Sequence, residues 1–107
     1  MTLDAMLTQL GYANNDSLHS QMQRIVDNTR GYDKIAKHIA DLNIALQTHN
    51  AHIALSNSVD YLKIKCESTF EKELQDVKDR INAWAGKYKV ELQKVDGKNT
   101  YYILGFK

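Results

Sequence analysis

The chain has no proline and one cysteine among its 107 residues, and glycine occurs only five times. Proline breaks helices, so a chain without it can have long helices. A lone thiol, Cys66, cannot close an intramolecular disulfide. The sequence therefore does not predict the cross-linked framework of a small secreted domain.

Long apolar runs and a charge of one sign are also missing. No apolar stretch approaches the roughly 20 residues that span a bilayer, and the start Met1–Asp4 lacks the basic and apolar regions of a signal peptide. Lysine and arginine total 14 against 13 acids, a net charge of +1, which argues against a polybasic nucleic-acid binder. We therefore expect a cytoplasmic protein without a membrane segment, and one domain over residues 1–107.

Two short helices are predicted at the N-terminus. The first has apolar residues at i, i+3, i+4 and i+7 from Leu3, with Thr2 as its N-cap and Gly11 after its end. The second covers about 17–29, follows a cluster of capping residues and ends at Gly31. In both places the glycine suits the left-handed conformation that ends many helices.

The stretch 32–85 has neither glycine nor proline, and it carries two apolar series with alternating steps of four and three residues. Such spacing is typical of a helix packed along another helix. A frame slip between the series leaves two interpretations: one helix about 80 Å long, or two antiparallel helices joined by a turn near 47–58. The helical hairpin is favoured because it is compact, whereas the single helix would have to dimerise. The series are Ile35, Ile39, Leu42, Leu46, His49 and Ile53, then Phe70, Leu74, Val77, Ile81, Trp84 and Tyr88.

A β-hairpin is predicted after Gly86, where the apolar period changes from about 3.6 to 2. Asp96-Gly97 is a strong turn signal, and Thr100–Phe106 is rich in aromatic and β-branched residues. A two-residue loop pairs Leu92 with Tyr101. A four-residue loop shifts the pairing by two residues and keeps the same faces.

The predicted fold class is mainly α with a C-terminal β-hairpin. It comprises short N-terminal helices, a long antiparallel helical hairpin or one long helix, and two antiparallel strands. Helices cover 2–86 and the hairpin covers 87–107. One hairpin face can pack on the helices: Tyr88, Val90, Leu92, Tyr101 and Ile103. The other face needs a partner or another element to cover it: Val95, Tyr102, Leu104 and Phe106.

No pattern of residues predicts a catalytic, metal or cofactor site. His49 and His52 have a spacing that can hold a metal, but no motif supplies the further ligands that zinc needs, for which His38 and Cys66 are the candidates. Cys66 continues an apolar stripe, which favours a small buried thiol over a nucleophile. Acids and bases alternate from Glu67 to Arg80, as on a solvated helix face. We therefore expect a protein that is not an enzyme.

The predicted function is that of a non-catalytic protein-interaction module, a homodimeric adaptor, inhibitor or regulator. Alternating seams suit helix pairing, and a net charge near zero gives little protection against self-association. The predicted partner surface joins the outer hairpin face to the second helical series: Val95, Tyr102, Leu104, Phe106, Phe70, Leu74, Val77, Ile81 and Trp84.

The alternative function is nucleic-acid binding by the hairpin, because residues 87–107 hold five lysines against two acids, interleaved with aromatic residues. Helices followed by a hairpin resemble the layout of a winged-helix domain, with Thr100–Leu104 similar to a wing. The segment 67–80 is nevertheless acidic where a recognition helix should be basic. A lysine-bearing edge that blocks strand aggregation explains the same lysines. The residues predicted for this alternative are Lys87, Lys89, Lys94, Lys98 and Tyr101.

Overall fold

The computed structural model describes all of residues 1–107 and shows four helices beside a four-stranded antiparallel sheet. The helices are α1 (Leu3–Gln9), α2 (Asp16–Asn28), α3 (Tyr32–Leu46) and α4 (Glu71–Tyr88), with a 3-10 turn at Gln47–His49. The strands are β1 (Ala51–Leu55), β2 (Leu62–Cys66), β3 (Val90–Lys94) and β4 (Thr100–Phe106). Their order in the sheet is β1-β2-β4-β3, so two hairpins meet where β2 pairs with β4.

The two predicted N-terminal helices are confirmed, together with the cap at Thr2. The Thr2 hydroxyl accepts a hydrogen bond from the Ala5 N–H at 3.1 Å, and the Asn15 side chain caps α2 by accepting from the Leu18 N–H at 2.8 Å. Gly31 adopts a left-handed φ of 64°, and α3 begins directly after it. The starts of α1 and α2 thus follow from side-chain caps that can be recognised in the sequence, whereas α3 starts after a glycine without a side-chain cap.

The predicted mainly-α fold is wrong because residues 51–66 form a β-hairpin. The predictions for this segment were the turn of a helical hairpin with the start of its second helix, or the middle of one long helix. Neither the single helix nor the helical hairpin forms over 32–85. The sequence Leu62-Lys63-Ile64-Lys65-Cys66 alternates strictly, which is the strand period, and a Ser-Asn-Ser cluster supplies the loop before it. An apolar series with steps of three and four can include strand residues by chance, because such steps fall on both faces of a strand.

The C-terminal hairpin is confirmed as a local element, but its surroundings differ from the prediction. The four-residue-loop register forms, with Leu92 opposite Ile103. The last helix passes Gly86 and ends at Tyr88, where Lys89 takes a left-handed φ of 56°. Because β4 also pairs with β2, the hairpin is half of a larger sheet, and the likeness to a free wing does not hold.

The core lies between the helices and one face of the sheet, which we call the inner face. Every strand contributes alternate residues to it, and α3 and α4 supply most of the apolar side chains that cover them. Each helix is too short or too polar to cross a membrane. The inner face comprises Ala51, Ile53, Leu55, Leu62, Ile64, Cys66, Val90, Tyr101 and Ile103, all buried.

A bulge interrupts the register of β3 and β4 near the end of the sheet. The register shifts between Glu91 and Leu92, and beyond β2 the backbone of Arg30 forms a single parallel bridge with Gly105. Gly105 has a φ of 148°, and a Cβ there would lie 2.6 Å from the Arg30 carbonyl oxygen. Only glycine fits this approach, so Gly105 lets the chain before α3 reach the sheet.

The free edge of β1 is closed by side chains. The Asn43 Oδ1 atom accepts a hydrogen bond from the Ile53 N–H at 2.9 Å, and the Tyr12 hydroxyl accepts one from the Leu55 N–H at 3.2 Å. Buried Asn43 also donates to the Gln9 carbonyl at 3.2 Å. These contacts occupy backbone donors through which an edge strand could otherwise pair with another chain.

Candidate functional site

The opposite face of the sheet, which we call the outer face, is basic and polar. Lys63 of β2 lies opposite Tyr102 of β4, and Lys65 lies opposite Thr100. Residues of β1 and β3 extend these two rows, and most of the side chains are partly exposed. The strand period thus places two lysines, a tyrosine and a threonine together, although they are far apart in sequence. The members added by β1 and β3 are His52, Ala54 and Gln93.

A trough of about 220 Å³ crosses this face. Its floor consists of Lys63, Lys65, Thr100 and Tyr102. The loop 56–58 forms one wall, and Val95 with Lys98 of the β3–β4 connection forms the other. Three lysines and no carboxylate line it, so the trough is suited to an anion.

Hydroxyl groups connect the trough floor to the loop wall. The Ser58 Oγ lies 3.3 Å from the Tyr102 hydroxyl and 3.3 Å from the Ser56 Oγ. The hydrogen bond to Ser58 lowers the pKa of Tyr102, aided by Ser56 and by the positive charges of Lys63 and Lys98. The phenol oxygen of Tyr102 therefore sits in a positive potential.

The loop 56–61 is held over the outer face by α2. Gln21 donates from its Nε2 to the Ser56 carbonyl at 3.1 Å and to the Asn57 Oδ1 at 3.2 Å. Asn28 donates from its Nδ2 to the Asp60 carbonyl at 2.9 Å. The wall of the trough is consequently fixed by contacts with a helix rather than free in solvent. A pre-positioned wall reduces the entropy lost on binding.

Two acids beside the strands have partners, whereas Asp96 in the β3–β4 turn is exposed. Glu91 accepts a hydrogen bond from the Arg30 guanidinium at 2.6 Å, and Glu67 lies 3.8 Å from the Lys65 ammonium. Other acids lie on α4, away from the strands: Glu71, Asp76 and Asp79 are exposed there. The lining of the trough is thus basic, with three lysines and no carboxylate, although the net charge of the chain is only +1.

The predicted partner surface is divided by the structure. Val77, Ile81 and Trp84 are buried in the core, and Leu74 packs against it. Phe70, at the start of α4, is 72% exposed. From the predicted hairpin face, Val95, Tyr102 and Leu104 stay partly exposed, whereas Phe106 packs against the core and lies under the Lys34 ammonium at 4.9 Å.

The residues predicted for nucleic-acid binding are likewise separated. Tyr101 points into the core, and Lys87 and Lys89 lie where α4 ends. Lys94 lies opposite Tyr101, on the inner side of β3, and its ammonium donates to the Lys98 carbonyl at 3.1 Å. Of this set only Lys98 lines the trough.

The histidines and the cysteine do not converge. His38 stacks on Tyr88 with ring centroids 3.8 Å apart, His49 lies 4.0 Å from Asp76, and His52 is on the outer face. Cys66 is buried as predicted, and burial raises the pKa of its thiol. No three His, Cys, Asp or Glu side chains could together hold a metal ion.

Sequence reasoning missed Ser56, Ser58, Lys63 and Lys65 as site residues. The favoured interpretation put the two serines in a turn and the two lysines on a helix, whereas the strand places Lys63 and Lys65 on one face. The available signal was the alternation of lysine with apolar residues in β2, directly after a serine-rich loop. Comparisons with protein-family models, with curated proteins and with solved structures find no match for the chain.

Proposed function

We propose that this protein binds single-stranded nucleic acid on the outer face of its sheet. The observation that carries the proposal is the trough, in which Lys63, Lys65 and Lys98 surround hydroxyl groups and no carboxylate intervenes. Lysines that neutralise backbone phosphates supply most of the sequence-independent affinity for nucleic acid. The alternative predicted from the sequence therefore moves from the hairpin lysines to the sheet face.

Aromatic side chains on the same face support a single strand as the ligand. Tyr61 and Tyr102 are partly exposed, with ring centroids 6.4 Å apart and planes tilted by 36°. Unpaired bases stack on such rings, and stacking contributes about 1–3 kcal/mol per base. A duplex reader would need a basic helix for the major groove, whereas α4 carries four acids and four bases and has no net charge.

Fluorescence anisotropy with a labelled strand of about 12 nucleotides, within the usual site size of such modules, tests the proposal. The test variant changes Lys63, Lys65 and Lys98 to Gln together. We expect weaker binding and a log K against log[salt] slope that is smaller by about 2, because each lost phosphate contact removes about 0.7.

The matched control changes three exposed helix lysines, Lys37, Lys72 and Lys87, to Gln. Both variants lose the same total charge, so only the position of the charge differs. Equal loss of affinity in the two variants would show that binding depends on net charge alone. That result would contradict a site on the sheet. Lys87 also belongs to the hairpin set predicted from sequence, so the control tests that placement.

Protein interaction is the second candidate function, and one observation favours it. Phe70 exposes 72% of its surface beside a depression lined by His49 and Glu73, where an apolar side chain has no partner within the chain. Self-association as a homodimer stays a prediction, and light scattering at micromolar concentration tests it.

A cytoplasmic location is also proposed, on the ground of the single, unpaired Cys66.

A further inference from the structure

We infer that the trough binds a terminal phosphate monoester of the nucleic-acid strand, held by the Ser56–Ser58–Tyr102 hydroxyls between Lys63 and Lys98. The inference rests on the proposed function and names the part of the ligand that the trough takes. Three properties carry it: the count of free donors, the charge, and the shape of the site.

The hydroxyl groups have donor protons to spare. Ser56, Ser58 and Tyr102 supply three O–H donors, and the two contacts among them use two, so at least one proton is left for a ligand. The contacts are 3.3 Å long, whereas good O–H···O bonds are near 2.7–2.8 Å. An incoming phosphate oxygen can therefore replace a weak bond with a charge-assisted one.

The charge of the trough favours a monoester over a diester. Lys63 and Lys98 line a single small site together with Lys65, whose ammonium lies 3.8 Å from the Glu67 carboxylate outside the lining. A terminal phosphate carries about −1.5 to −2 charges near neutral pH, against one for each internal phosphate of a strand. Lys63 and Lys98, neither of which forms an ion pair within the chain, thus favour the more highly charged end of the strand.

The shape of the trough also points to an end. Its volume of about 220 Å³ is below the roughly 300 Å³ at which sites for drug-sized ligands begin, so it fits a phosphate with part of its sugar. The loop 56–58 and the residues Val95 and Lys98 close it along the strand direction. A strand entering past Tyr61 and the loop that α2 holds would reach the opposite wall, formed by Val95 and Lys98.

Direct titration followed by fluorescence anisotropy tests the inference. It uses three strands of one sequence, each labelled at an internal base: 5′-phosphorylated, 3′-phosphorylated and unphosphorylated. We expect one phosphorylated end to bind about tenfold or more tightly than the unphosphorylated strand, as one added charge-assisted contact would give. Ser58→Ala and Lys98→Gln should each remove that preference, whereas Ser20→Ala, an exposed serine of α2, should leave it unchanged.

The outcomes separate this inference from the proposed function. Equal binding of all three strands overturns the terminal-phosphate site and leaves nucleic-acid binding intact, while absence of binding to any strand overturns both. If the preference for a phosphorylated end persists in both Ser58→Ala and Lys98→Gln, the phosphate does not bind in the trough. A phosphoserine peptide that binds more tightly than the end-phosphorylated strand overturns the strand as ligand. Lys98 is exposed in a turn, so its variant folds even if Ser58→Ala perturbs the loop.

Discussion

The two faces of the sheet are built from the same strands but have opposite chemistry. On β2, Leu62, Ile64 and Cys66 are buried against the helices, while Lys63 and Lys65 alternate with them on the outer side. All four helices lie with the inner face in one core. An antiparallel sheet needs only one covered face to be stable, which leaves the other free to carry function.

The difference between the two faces separates the residues that stabilise the fold from those available for binding. Inner residues are fixed by packing, so changes there alter the free energy of unfolding. Outer residues contact water and one another through long hydroxyl contacts, so changes there should alter ligand binding and leave folding nearly unchanged. The following predictions test that division, beginning with the largest effect.

The largest effect is expected from neighbouring substitutions on β2. Ile64→Ala removes a fully buried side chain and should lower the free energy of unfolding by about 2–5 kcal/mol. Lys63→Ala, on the other face, should change it by less than about 0.5 kcal/mol. Urea denaturation of both variants measures this. Similar losses would show that the outer face is part of the core.

Two glycines give the next contrast. Gly105→Ala places a Cβ within 2.6–2.8 Å of Arg30 at a φ of 148°, and strain of this kind should destabilise the fold by about 1–3 kcal/mol or more. Gly86→Ala lies in α4 with no atom within 4 Å and should stabilise it by about 0.5–1 kcal/mol. Thermal melting of the pair checks both signs. If Gly105→Ala left the melting temperature unchanged, the bridge between Gly105 and Arg30 would not be needed for the stability of the fold.

A smaller loss of stability is expected from a substitution at the edge of the sheet. Asn43→Ala leaves the Ile53 N–H of β1 without its acceptor and should lower the free energy of unfolding by about 1–2 kcal/mol. Amide hydrogen exchange at Ile53 should accelerate with it. Asn82→Ala, at an exposed position of α4 whose side chain forms no hydrogen bond, is the control and should have little effect. Unchanged exchange at Ile53 would show that Asn43 does not protect the edge.

The smallest predicted effect is a difference in tyrosine ionisation. Burial raises the pKa of Tyr32 to about 12, helped by Asp33, while hydrogen bonding to Ser58 lowers the pKa of Tyr102. In the unfolded chain both phenols ionise near pH 10. The stability that Tyr32 contributes is present below about pH 10 and is lost as pH rises towards 12, whereas that of Tyr102 is lost as pH falls through its lowered pKa.

Tyrosinate absorbance measured against pH resolves the two residues. Tyr102→Phe should remove the earliest part of the titration, and Tyr32→Phe should remove the latest part. The reverse assignment would contradict the placement of Tyr32 on the covered side and Tyr102 on the basic side.

Local chemistry made half of this fold predictable. Thr2 and Gly31 mark helix boundaries, and Asp96-Gly97 marks a hairpin, because capping and turn preferences act over a few residues. The first hairpin was missed because Leu55, Val59, Leu62 and Cys66 also satisfy a helical spacing, with steps of four, three and four. Short apolar runs leave helix and strand ambiguous, and the pairing of β2 with β4 decides between them.

The candidate site was less predictable than the fold. Tyr102 and Lys98 were named from sequence, but in different hypotheses, and Lys63 and Lys65 were placed on a helix. The trough joins residues more than 30 positions apart, and it forms only because β2 lies beside β4 under the loop 56–58. Such long-range pairing is a tertiary outcome that no local motif encodes.

The central claim, that the outer face of the sheet is the binding surface, is tested most directly by NMR. Titration of the labelled protein with a single-stranded oligonucleotide should shift the amide resonances of Lys63, Lys65, Thr100 and Tyr102. It should leave those of exposed helix residues such as Lys37 and Lys72 in place. Shifts confined to the helices, or no shifts at saturating concentrations of the strand, would contradict the account.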